Sequence, residues 1–456
     1  MSLTSIENNQ FRIYTAQKFI EGLQSQSSEN NLYVWIGKVT AWSNDSTPPQ
    51  PQDTVAARIS SFADMMVMKR VSPADVCLVI PRYNWTSSTL YSQYSDLGAV
   101  AGGIYYDQYE PSTLVAPFYV ITTDNNVYKC LDNNGNSASS VMPTGTSVSP
   151  VTLADHYTWK FMFQVSYLDS LNFLSDGWIP IHQLTYNDGS AQWAVQTTAA
   201  LTPGTIEKIQ VINVGSGYTS TPTVTVLGDG VGCRATAVIS GNTVIGIAIV
   251  TKGHGYSHAT VTIGGPGSSA TAHAIISPPG GHGSNALAEL GAMYAMVDVS
   301  LNYGESGKIT TDNDYRKFGL LLNPLFYGSQ YYYYPLIGTM TTNVTLTSVT
   351  GTFDPDVLVT GVTSGVTGNV VDYNIGGTNV LRLNNVTRNT ASGYLNTASG
   401  FIITETLTTP SGIATITGVV HPDVQPNTGL ILTTEHTTPI TRTAAQSEDI
   451  KITIPF

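Results

Sequence analysis

Ile209-Gln-Val-Ile-Asn-Val-Gly-Ser-Gly-Tyr218 returns further along the chain as Ile247-Ala-Ile-Val-Thr-Lys-Gly-His-Gly-Tyr256. The echo continues past both tyrosines: Thr223-Val-Thr-Val226 matches Thr260-Val-Thr-Ile263, and Ala235-Thr-Ala237 matches Ala270-Thr-Ala272. Each copy reads as strand, Gly-x-Gly-Tyr turn, strand, glycine-rich turn, strand, because β-formers are punctuated by residues that tolerate tight turns. Two copies are too few for a solenoid, but they suffice for a small pseudo-symmetric β module over residues 205–279. The run Pro278-Pro-Gly-Gly-His-Gly283 closes it.

Outward from this module, the chain remains β-rich. Residues 341–428 form a second Thr/Val/Gly stretch with alternating apolar positions, as in Val380-Leu-Arg-Leu and Gly412-Ile-Ala-Thr-Ile-Thr-Gly-Val-Val420. The ending Ile450-Lys-Ile-Thr-Ile-Pro-Phe456 alternates cleanly and predicts a terminal strand that returns to the first domain. Towards the N-terminus, short strands are expected at Leu32–Ile36, Val76–Ile80, Phe118–Thr122, Asn126–Leu131, Trp159–Val165 and Gln192–Thr197. Helical spacing occurs in three places only. Asn9–Leu23 and Thr54–Val71 carry apolar residues at three-four intervals, the latter with Asp53 or Thr54 as cap, and Asn285–Met296 follows the first module. The expected fold is therefore mainly β with a few helices and several domains. A β-sandwich-like core would comprise residues 1–204, 280–340 and 429–456, with β modules inserted at 205–279 and 341–428.

Composition narrows the function classes. The 456-residue chain carries 19 basic and 31 acidic residues, a net charge of −12, and its charged fraction is only 11%, against roughly 25% for an ordinary soluble protein. A surface of Thr, Ser, Asn, Gly and Tyr suits a protein packed against other proteins. With no Lys/Arg cluster to neutralise phosphates, nucleic acid and anionic membranes are not expected partners. Cys77, Cys130 and Cys233 lie far apart, which argues against a disulfide framework or a zinc site and for buried thiols in a reducing compartment. The opening MSLTSIENNQFRIYTAQKF lacks the pattern of a secretory signal, and the apolar run Val244–Val250 is too short to cross a bilayer. Synthesis and retention in the cytoplasm until lysis are expected.

The search for chemistry yields little. Gly304-Glu-Ser-Gly-Lys308 has the wrong spacing for a P-loop and is followed by Ile309. Asp132-Asn-Asn-Gly-Asn136 has its glycine too early for a calcium loop and reads as a turn. His254, His258, His273 and His282 fall in one glycine-rich region, where a His-x-x-x-His spacing lacks the helix it needs; they read as exposed turn residues. The neighbouring pairs Asp312/Asp314 and Asp354/Asp356 read as turn caps, since a glycosidase needs carboxylates across a cleft about 5–10 Å wide. The run Tyr331-Tyr-Tyr-Tyr334 reads as an assembly contact or edge strand with rings alternating between faces.

Six islands, in order, resemble one family, the dimeric baseplate wedge subunit of T-even-type contractile-tailed bacteriophages. They are the opening with Phe19, Ile36-Gly37 and Trp42; Val79-Ile-Pro-Arg-x-x-Trp85; Val127-Tyr-Lys-Cys-Leu-Asp132; Tyr157-x-Trp-Lys-x-x-Phe163; Tyr315-Arg-Lys-Phe-x-x-x-x-Asn-Pro-Leu325; and the close from Glu435-x-x-x-Pro-Ile440 to Ile450-Lys-Ile452. They cover roughly residues 1–200, 283–335 and 430–456, leaving both modules outside. The resemblance implies a mainly β, non-enzymatic, homodimeric structural protein of the virion tail baseplate, assembled in the host cytoplasm. It would hold other wedge proteins, contribute to baseplate assembly and to its rearrangement before sheath contraction, and need no cofactor. Pro81, Arg82, Trp85, Tyr128, Cys130, Trp159, Asn323 and Pro324 are the family-like structural positions; none is expected to be catalytic, cofactor-binding or metal-binding. Arg82 is expected to pair with a carboxylate, across an interface or locally, and both tryptophans to anchor a core or interface. The alternative is a receptor- or glycan-binding tail protein that reaches host glycans through the inserted modules.

Overall fold

The computed structural model describes residues 8–24, 30–97, 99–101, 104–106, 117–309, 313–373, 377–388, 400–443 and 445–456. The chain is mainly β and forms two compact units. One comprises Met1–Gln17, Cys77–Ala295 and Ile454–Phe456; the other comprises Lys18–Val76 and Met296–Thr453.

In the first unit, a four-stranded antiparallel sheet runs in the order Tyr119–Ile121, Asn126–Asp132, Thr158–Gln164, Val151–Thr152. Its core gathers Tyr91, Val120, Tyr128, Cys130, Tyr157, Trp159, Phe161 and Val195. The expected strand at Gln192–Thr197 is instead part of a helix, Ala191–Ala199. Ser190 caps it by accepting from the Trp193 N–H, and Gln192, Val195, Gln196 and Ala199 fall at three-four spacing on its buried face. The helix predicted over 285–296 is cut to Ala286–Leu290, because the chain continues as the strand Tyr294–Leu301.

The two-repeat module is built as the echo suggested. The first strand of one copy, Ile206–Ser216, pairs with Ser268–Ile276, while Thr243–His254 pairs with Val231–Ser240. Between them Thr223–Gly228 and Ala259–Gly264, the matching strands of the two copies, pair with each other. The Gly-x-Gly-Tyr turns have equivalent surroundings. A Cβ on Gly215 (φ +62°) would lie 2.5 Å from the Ala270 nitrogen and 2.9 Å from the Tyr218 ring, and one on Gly253 (φ +63°) would lie 2.6 Å from the Cys233 nitrogen and 2.9 Å from the Tyr256 ring. Glycine is required twice over, by the left-handed backbone and by the ring seated on it.

In the second unit, the five-stranded antiparallel sheet has the order Ile337–Thr339, Met65–Arg70, Leu32–Gly37, Asn313–Leu322, Leu430–Arg442. The helix expected to reach Val71 spans only Val55–Asp64, capped by Thr54, whose Oγ1 accepts from the Ala57 N–H at 3.1 Å. Met65–Arg70 is a strand because pairing on both sides buries Met65 to Met68 completely, which one face of a helix cannot do. Residues 342–420 close into a barrel of Thr342–Gly351, Val380–Arg388, Val366–Tyr373, Leu358–Gly361, Thr406–Thr408 and Gly412–Val420. Its interior is filled by Val344, Leu346, Val359, Val370, Leu381, Leu383 and Ile416, and closure removes the exposed sheet edges. The terminal strand is Glu448–Pro455, and the Phe456 N–H donates to Met293 O within the first unit. Among the described residues, no helix is long and apolar enough to cross a membrane.

Candidate functional site

The family-like positions divide between the units. Trp85, Tyr128, Cys130 and Trp159 belong to one aromatic cluster of the first unit. Trp159 stacks on Tyr157 with ring centroids 5.6 Å apart and meets Tyr91 edge-on, while the Tyr128 hydroxyl donates to Gly145 O at 2.6 Å. Burial pushes the Cys130 thiol far up, so it stays protonated and packs as an apolar group. Pro81 ends the strand Val76–Pro81 and its carbonyl accepts from the Tyr119 hydroxyl at 2.8 Å. Arg82 binds Ser175 O at 2.7 Å and Asn84 Oδ1 at 2.9 Å, and among the described residues it has no carboxylate partner within the chain. Asn323 and Pro324 lie in the second unit, where Asn323 Oδ1 accepts from the Asn31 N–H at 2.8 Å and Pro324 O accepts from the Tyr333 N–H at 2.7 Å.

The histidines and carboxylates resolve differently from expectation in places. His254 and His258 are exposed, but His273 is partly buried against Asp96 at 2.9 Å and His282 is buried. Next to His282 the buried pair Lys129–Glu289 crosses the interior, and Glu289 Oε1 also accepts from the Gly283 and Asn285 N–H groups at 2.7 and 3.2 Å. Burial and the neighbouring Lys129 charge drive His282 well below its ordinary value, so its ring is neutral. Burial also brings Lys160 down to about 8, against the opposing pull of Glu289. Asp314 is no turn cap but a strand residue that bridges to Arg316 at 3.2 Å and accepts from the Thr441 hydroxyl of the neighbouring strand at 2.7 Å, whereas Asp354 accepts locally from the Thr352 hydroxyl at 2.8 Å; Asp312 lies outside the described residues.

The tyrosine run is not a regular strand. Tyr333 alone is inside, 2% exposed, donating its hydroxyl to Ile337 O at 2.7 Å; Tyr331, Tyr332 and Tyr334 are 80%, 44% and 63% exposed. Three outward aromatic rings in sequence are a surface suited to protein contact.

A mixed-donor cluster escaped the sequence reading. Cys77, the second residue of Val76–Pro81, is buried; strand Trp178–Ile181 pairs antiparallel with it, and Ile181 opposite Leu78 sets His182 next in register, across from Cys77. His182 Nε2 lies 3.4 Å from Cys77 Sγ and 3.2 Å from Asp169 Oδ1. Asp169 sits in the helix Tyr167–Asn172, and its other oxygen accepts from the capping Ser166 hydroxyl at 2.7 Å. Burial works against a charged imidazole here, but the Asp169 and Cys77 contacts prevail and raise His182 to about 10. A nucleophile relay puts the thiol and the carboxylate on opposite ring nitrogens. Here both face Nε2, an arrangement that gathers three donors around one point.

No family model matches the chain. In sequence it is 23% identical to the baseplate wedge protein gp8 of Enterobacteria phage T4 over 205 residues, which cover 39% of this chain and 60% of that protein. The chain thus spans about 60% of the length of the curated relative it matches. The resemblance carried by the ordered islands is also found by alignment: this chain is similar in sequence to a phage baseplate wedge protein.

Proposed function

We propose that this chain is a structural, non-catalytic subunit of a phage tail baseplate wedge. The observation that carries the reading is the alignment with a wedge protein. Chemistry supports it: a net charge of −12 with few charged residues, and outward aromatic rings at Tyr331, Tyr332 and Tyr334. In this reading the protein is a homodimer in the baseplate of a contractile tail. It holds other wedge proteins, assembles in the host cytoplasm, and takes part in rearranging the plate before the sheath contracts. It binds neither nucleic acid nor membrane and uses no cofactor in that role. Many weak contacts repeated around the plate make the assembly firm.

Immunogold electron microscopy of intact virions, with antibodies against the whole chain, tests this. Gold confined to the tail-tip plate is the expected result. Gold along distal fibres would replace the reading with that of a glycan-binding adhesin.

A further inference from the structure

The geometry points to a binding site for a thiophilic divalent cation of the zinc type, held by Cys77 Sγ, His182 Nε2 and Asp169 Oδ1. The three ligand atoms all lie within 4.8 Å of one another. Tetrahedral zinc, with bonds of about 2.3 Å to sulfur, 2.0–2.1 Å to nitrogen and 2.0–2.2 Å to oxygen, sets nitrogen roughly 3.6 Å from sulfur and roughly 3.3 Å from oxygen. The two observed separations to Nε2, 3.4 and 3.2 Å, lie within a few tenths of an ångström of those values.

Each ligand comes from a different element, and two are held in place. Cys77 and His182 meet just beyond the last pair of a β ladder, Ile181 opposite Leu78. Asp169 is fixed by the Ser166 hydroxyl on the oxygen that does not face the site, leaving Oδ1 free for a ligand. Without a cation, one Nε2 proton must serve both acceptors, while the thiol proton points to Leu78 O at 3.1 Å. A cation would take the place of the Nε2 and thiol protons at this point. The mixed sulfur, nitrogen and oxygen set favours zinc over magnesium or calcium, which demand oxygen alone. His182 is half exposed and Asp169 is 22% exposed, so the fourth position faces water. It is open to a water molecule or to a donor from a neighbouring protein.

The test uses the full chain, purified under reductant, stripped with EDTA and titrated with Co²⁺. A sulfur-to-cobalt charge-transfer band should saturate at one ion per chain and be bleached by Zn²⁺. Cys77→Ser should abolish the band and Cys233→Ser should leave it unchanged. Because Cys77 is buried and its variant could misfold, Asp169→Asn and His182→Gln provide solvent-facing checks, each expected to weaken Co²⁺ at least tenfold while circular dichroism stays that of the wild type. Absence of the band in folded wild-type protein overturns the proposal. So does a band that survives Cys77→Ser, or one undiminished in both solvent-facing variants.

Discussion

Asp372, in the barrel strand Val366–Tyr373, is buried with both carboxylate oxygens lacking hydrogen-bond partners among the described residues, 3.7 Å from Arg382 Nη1. Unfolded, such a carboxyl titrates near 3.9; in the fold, burial outweighs Arg382 and pushes it up to about 6. Between those values the folded chain binds the extra proton, so stability falls as pH rises through about 4 to 6 and the cost is complete above it. Asp372→Asn removes that dependence. Its stability relative to wild type should improve by about 2–3 kcal/mol between pH 4 and 7 in thermal melts, and a difference that is flat with pH would rule out the buried carboxylate as the cause. The Lys129–Glu289 pair, 0% and 2% exposed, makes a complementary case. Lys129→Met alone strands a buried carboxylate and should cost about 3–5 kcal/mol in urea unfolding. Adding Glu289→Gln keeps acceptors for the Gly283 and Asn285 N–H groups without the charge, and should recover most of that loss. Additive losses would show that the pair is not coupled.

At the scale of elements, the two Gly-x-Gly-Tyr corners hold the repeat module together. Tyr218 and Tyr256 are 1% and 6% exposed, and their hydroxyls accept from the Ala270 and Cys233 N–H groups at 3.3 and 3.4 Å. Replacing either ring by alanine should cost about 3–5 kcal/mol. Phenylalanine should cost only about 1 kcal/mol, for the lost hydrogen bond. Hydrogen exchange of amides in 206–276 reads both, and equal protection in the Tyr→Ala variants would mean that the corners are dispensable. These corners were legible because the same residues recur with the same punctuation, a signal independent of distant contacts. Met65–Arg70 was not: Met65, Met66 and Val71 continue the apolar spacing of the preceding helix, and only pairing with Leu32–Gly37 and Ile337–Thr339 decides for strand. Gln192–Thr197 failed the other way, since its helical signal lies in Ser190 as cap and in Ala199, both outside the short window. The Cys77–Asp169–His182 cluster was beyond reach for a different reason. Cys77 and His182 are 105 residues apart and meet only through the register of two strands, while each residue type alone is ordinary.

For the whole molecule, the proposed role asks how a chain of net charge −12 would bind copies of itself and neighbouring proteins. Like charge opposes association, so contact must come from patches where charge is sparse and aromatic area is large. The segment Tyr331–Tyr334 fits: Tyr333 anchors the segment from within, beside Tyr33 at a ring separation of 6.0 Å, and the other three rings stand outward. In the proposed role, folding would rest on Tyr333 and association on the three exposed rings, and substitution separates the two. Tyr333→Ala should cost about 3–5 kcal/mol and lower the melting temperature sharply. Tyr331→Ser, Tyr332→Ser and Tyr334→Ser should each, made singly, stay within about 0.5 kcal/mol of wild-type stability, as surface changes do. With the proposed homodimer, the wild type should sediment at twice 48.7 kDa and the variant carrying all three changes at 48.7 kDa, and that variant should be depleted from virions grown with the variant gene. A triple variant that dimerises and enters virions at wild-type levels would place the assembly contacts elsewhere on the surface and reduce these three rings to solvated side chains.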